Sequence, residues 1–128
     1  VDVLAWHPGR QVVLIVEVKS VVPDVQSMLA AIDRKRRLAL AIARERGWTA
    51  TAVATLLVIG ESRTSRRRVD AHAATFEQAF PYRAIEVRRW LAAPDSAPLH
   101  GLWFLSASQA VPTRHRVARR AARCRAQA

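Results

Sequence analysis

A chain of 128 residues, 51% hydrophobic and 24% charged, has the size and composition of one folded domain with one core, not of a disordered tail or a pair of domains. Its 21 Lys and Arg against 10 Asp and Glu give a formal charge of +11, which points to a polyanion such as nucleic acid, with a membrane surface the weaker alternative. The lone Cys124 excludes an internal disulfide, zinc-ligand spacing is missing, and the lack of a membrane-spanning run or a secretory leader makes a cytoplasmic setting the expectation.

Residues 1–6 read as a short strand, and because the chain plunges into it from Val1, an upstream portion is expected. His7-Pro8-Gly9-Arg10 carries turn chemistry, and residues 11–19 form the second arm of a hairpin. The run Val12-Val13-Leu14-Ile15-Val16 is nearly continuous in aliphatic residues, as in a strand covered on both faces, so it belongs in the middle of its sheet. Pro23 and Asp24 suit the first turn of a helix: proline lacks an N–H that would go unpaired there, and an acid favours the positive end of the dipole. That helix is predicted over 23–46, with Gly47 stopping it. Residues 51–59 read as a third, buried strand closed by Gly60, and the intervening helix has the length of a crossover between parallel strands. A second helix is predicted from Thr64 or Ser65 to Phe80, where Pro81 ends it. Residues 83–87 are a candidate fourth strand, 88–93 a helical turn, 94–98 a loop and 101–106 a last strand. Residues 113–128 hold six arginines, no acid and little to bury, so they are expected to form a frayed helix or a disordered tail beside a domain of residues 1–112.

Glu17-Val18-Lys19 in the central strand, taken with Asp2 one hairpin earlier, is the constellation that could carry chemistry. Side chains two apart on a strand share a face, so Glu17 and Lys19 project together from an otherwise apolar element. Charges buried there are costly unless they pair or bind a metal. The two hairpin arms are of similar length, which brings Asp2 opposite the Glu17 region. Two carboxylates and an ammonium suit metal-dependent phosphodiester cleavage: hard oxygen donors favour Mg²⁺, and a lysine can orient and help deprotonate the attacking water. Lysine can lose its proton when desolvated, whereas arginine cannot. In a chain with 19 arginines and two lysines, a lysine at position 19 suggests a specific need for an ammonium. The competing explanation is a same-face ion pair at a solvated edge.

These residues resemble the core of the PD-(D/E)xK nuclease superfamily, whose restriction-endonuclease-like fold sets a mixed sheet between helices. The strings Val3-Leu4-Ala5-Trp6-His7-Pro8, Ile15-Val16-Glu17-Val18-Lys19, Asp33-Arg34-Lys35, Ile42 to Trp48 and Arg66-Arg67-Arg68 look like the region behind the helix-turn-helix of certain actinobacterial XRE-type regulators. The resemblance implies an α/β domain of that fold with its N-terminal helix missing and a basic C-terminal tail. It also implies Asp2 and Glu17 as metal ligands with the Val18 carbonyl as a third, Lys19 as the catalytic lysine, Gln26 near the metal, and Mg²⁺ as the ion. Val1 stands where the named motif has proline.

Arg34, Lys35 and Arg37 on the long helix and Arg66, Arg67 and Arg68 at the start of the next are candidate phosphate contacts, the latter group because cations at a helix N-terminus oppose its dipole. Asp33 could instead pair with Arg37 one turn on. The four histidines share no spacing and read as turn or surface residues. DNA is the expected partner. A non-catalytic DNA-binding, regulatory or homodimerising domain of a helix-turn-helix regulator is the rival, and a protein-interaction domain needing no metal is a third reading.

Overall fold

The computed structural model describes the backbone of residues 2–106 and the side chains of residues 3–106; the predicted Arg-rich segment 113–128 lies outside the described residues. Strand β1 (Asp2–His7) turns through Pro8 to Gln11 into β2 (Val12–Lys19), and helix α1 (Val25–Glu45) leads to β3 (Ala52–Gly60). Helices α2 (Arg63–Ala71), α3 (Ala73–Ala79) and α4 (Ala84–Ala92) then precede β4 (His100–Leu105). The strands form one mixed sheet in the order β1-β2-β3-β4, with β1 antiparallel to β2 and the other neighbours parallel. The architecture is α/β, a four-stranded mixed sheet with four helices among the described residues. No helix among them is long and apolar enough to cross a membrane.

Local chemistry explains the first half. Arg10 N–H donates to His7 Nδ1 across the hairpin turn, and Gln11 takes a positive φ of 54°. Asp24 caps α1, its carboxylate accepting from the Ser27 N–H at 3.1 Å and the Ser27 hydroxyl at 2.7 Å. These two bonds, the hydroxyl's first, hold the Asp24 carboxyl below its ordinary value. At the other end Gly47 adopts φ +74°, a conformation that favours glycine, and the Trp48 N–H reaches back to the Ala43 carbonyl.

Alternation along the strands divides the core between two faces. On one face Val13, Ile15, Leu57 and Ile59 meet α1, α2 and α3, with Met28, Ile32, Val69 and Phe76 as the buried helical contribution. On the other, Val12, Ala54, Leu56 and Val58 pack with Val87 of α4 and with Leu99. Gly101 permits the close approach of α4, since a Cβ there would lie 2.5 Å from Val87 Cγ2.

Two expectations are corrected. The single helix predicted over 64–80 is two helices, because His72, at φ −119° and ψ 33°, leaves the helical region and redirects the chain before Phe76 enters the core. The strand predicted over 83–87 is the first part of α4. Only Tyr82 makes an isolated parallel bridge, to Gly101. The Glu86 carboxylate accepts from the Arg83 N–H at 3.1 Å, closing the helix start, and Val87 is buried while Ile85 points outward, a helical rather than a two-residue period.

Candidate active site

At the carboxyl end of β2, Glu17 is 2% exposed, a carboxylate on the central strand beneath α1. Lys19, two residues on and on the same face, places Nζ 3.1 Å from Glu17 Oε1. Lys35, midway along α1, places its Nζ 2.8 Å from Glu17 Oε2. The phase of α1 explains that reach: Met28, Ile32 and Ala39 form the stripe buried against the sheet, and Lys35 lies on it between Ile32 and Ala39. Both lysines are about one-third exposed, at 32% and 36%, so each ammonium keeps a solvated side while the carboxylate is buried. A carboxylate this deeply placed is tolerable because each oxygen meets a cation.

The β1–β2 ladder sets Asp2 directly opposite Glu17, while the Asp2 side chain lies outside the described residues. The Val18 side chain is exposed, and alternation puts it on the other face of β2. Gln26 is exposed in the first turn of α1, and no hydrogen bond joins it to Glu17 among the described residues. The structure thus gathers Glu17, Lys19 and Lys35, with Asp2 beside them in register.

A hard divalent ion is the group the resemblance implies, and the donors suit it in kind. The buried Glu17 carboxylate and the Val18 carbonyl are oxygen donors, and Asp2 holds the neighbouring ladder position. Among the described residues no three acidic, histidine or cysteine side chains cluster as a ligand set, and both Glu17 oxygens are engaged by ammonium groups. The fit is therefore one of donor chemistry, conditional on an ammonium giving way.

The arginine clusters divide by partner. Arg34 and Arg37 are exposed, whereas Arg36 pairs with Asp33 at 3.4 Å, so the i,i+3 cation takes the place expected of Arg37. Arg66 bonds to Glu61 through Nη2 at 2.9 Å and sits 4.4 Å from the Phe104 ring centre. That pairing holds the Glu61 carboxyl below its ordinary value and raises the guanidinium's. Arg67 and Arg68 remain exposed, but Ser62 caps α2 and Arg63 begins it, so the group expected at the helix N-terminus lies in its middle and last turn, where a cation no longer opposes the dipole.

His100 is a feature the sequence did not reveal. It opens β4 in register with buried Thr55, and its Nε2 lies 3.4 Å from Arg36 Nη2. Its Nδ1 and the Thr55 hydroxyl are buried without hydrogen-bond partners among the described residues. Burial first, and the facing Arg36 second, depress its pKa below the ordinary histidine value. Because the folded protein resists protonation here, stability should fall as pH drops from about 6.5 through the lower folded value. In thermal melts between pH 8 and 5, His100→Gln should lose less of its melting temperature over that window than the unmodified chain does.

No protein-family model, curated protein or solved structure matches this chain.

Proposed function

We propose that this chain carries a PD-(D/E)xK-type centre on a restriction-endonuclease-like sheet and hydrolyses phosphodiester bonds in DNA with Mg²⁺. The observation that carries the reading is the buried Glu17 on the central strand, opposite Asp2 in the ladder and bonded to Lys19. The order of hairpin, long helix and parallel third strand supports it as well.

Glu17, Asp2 and the Val18 carbonyl would hold the ion, which supplies Lewis-acid stabilisation of charge on the scissile phosphate. The chain's own residues do the rest. Lys19 presents an ammonium whose donors can hold the attacking water or a phosphate oxygen, and its bond to Glu17 fixes that position. Exposed Arg34, Arg37, Arg67 and Arg68 contribute sequence-independent attraction for the DNA backbone. Gln26 enters only through the family resemblance.

A second reading, a non-catalytic DNA-binding or regulatory module of a helix-turn-helix protein, is favoured by one specific observation: both Glu17 oxygens are already paired with lysines. Incubation of the chain with supercoiled plasmid decides between them. The nuclease reading expects nicking that requires Mg²⁺ or Mn²⁺ and disappears in Glu17→Gln, while DNA retention by the variant is unchanged and weakens with salt in parallel with the original chain. Retention without cleavage under any divalent ion would leave the binding module.

A further inference from the structure

Two ammonium groups, one on each oxygen of one buried carboxylate, oppose a divalent ion there by charge and by occupancy, and the two differ in how they are held. Lys19 is tied to Glu17 through two residues of the same central strand, hydrogen-bonded on both sides. Lys35 comes from a different element, and its side chain lines a mostly apolar groove of about 270 Å³ between α1 and β1, walled by Leu4, Ile15, Leu38, Ala39 and Ile42, with Arg46 also in its lining. A lysine stem can stay against such a wall while its head moves into water, and this side chain is already 36% exposed.

We infer that Lys35 is a resident stand-in for the divalent cation: its ammonium occupies Glu17 Oε2 when no ion is bound and swings along the groove when one arrives. The inference rests on the nuclease reading and deepens it, giving the centre a built-in competitor. A monovalent head at 2.8 Å balances the buried carboxylate until a divalent ion replaces it. Ion binding is thereby weakened in the resting protein by the contacts, among them its bond to Glu17, that the Lys35 ammonium must first give up.

Thermal unfolding of the full chain, of Lys35→Met and of Glu17→Gln, titrated with MnCl₂ at constant ionic strength, tests this. Lys35→Met keeps the aliphatic stem and removes only the charge. It should melt lower than the original chain without Mn²⁺, and reach half its Mn²⁺-induced shift at a concentration at least about fivefold lower. Glu17→Gln should show no shift. Because the chain has only two lysines, Lys19 and Lys35, their ¹⁵N-labelled ammonium signals can be followed separately in the unmodified protein, a readout that stands even if Lys35→Met does not fold. Mn²⁺ broadens nearby resonances, so this arm uses Mg²⁺, and the Lys35 signal should move to a solvent-exchanging position as the ion saturates.

Equal half-saturation in the original chain and Lys35→Met, or an unmoved Lys35 signal with the ion bound, overturns the inference and leaves the metal centre standing. No ion effect on either protein overturns both it and the metal-dependent reading.

Discussion

Plasmid nicking by Lys19→Met is expected to fall by about 10²- to 10⁴-fold, the range in which a positioned proton-transfer or charge-stabilising side chain contributes. On the proposed nuclease reading the loss should appear at saturating Mg²⁺ and be mirrored in single-turnover rates, because the ammonium would act on the reacting phosphate or water and not on ion binding alone. Its effect on folding should be moderate. Lys19 is about one-third exposed and Glu17 retains Lys35 at 2.8 Å, but the buried Oε1 loses its cation, so the stability cost should be about 1–3 kcal/mol. Lys19→Arg separates charge from chemistry: it restores the cation while offering a group that does not give up a proton at neutral pH. A Lys19→Arg variant that nicks as fast as the original would show that charge alone suffices.

The largest stability effect is expected in the apolar core on the same face of the sheet. Phe76 is fully buried, 0% exposed, in one apolar cluster with Leu57, Ile59, Val69 and Leu102. It stands on a seven-residue helix whose start lacks a side-chain cap, so burial of this ring must hold α3 to the sheet. Phe76→Ala should cost about 3–5 kcal/mol, a large share of the 5–15 kcal/mol typical of a domain. The matched control is Ile85→Ala on the outer side of α4, where the side chain is 72% exposed and the change should stay within about 0.5 kcal/mol. Urea unfolding of both variants measures the difference.

The first half of the fold was legible because its signals agree with one another. The aliphatic run of β2, the turn residues before it, the Asp24 cap and Gly47 each specify the local conformation found there, and hairpin arms of similar length set Asp2 opposite Glu17. The second half was not, for identifiable reasons. Ile85 and Val87 alternate like strand residues, and only packing reveals that one faces solvent and the other the sheet. Ser65, Val69, Phe76 and Phe80 keep a spacing that a continuous helix would also satisfy, so the bend at His72 leaves no periodic mark.

At the site, Lys35 reads in the sequence with its arginine neighbours as a phosphate contact, although its rarity marks it as much as Lys19. In a chain so rich in arginine, each lysine is conspicuous, and the two meet on one carboxylate. The apposition of Thr55 and His100 had no comparable signal, since strand register between residues 45 apart is decided by tertiary packing.

The charged centre has a consequence for how the molecule assembles. Asp2 pairs with Glu17 across one tight hairpin, and Lys35 reaches Glu17 from only 18 residues further along. Closing such short loops costs little chain entropy, whereas β4 must be drawn back to β3 over a far longer stretch. During synthesis the β1–β2 hairpin and α1 can therefore come together while β4 is still unmade, so that the contacts of Glu17 with Lys19 and Lys35 precede completion of the sheet that will later rigidify them.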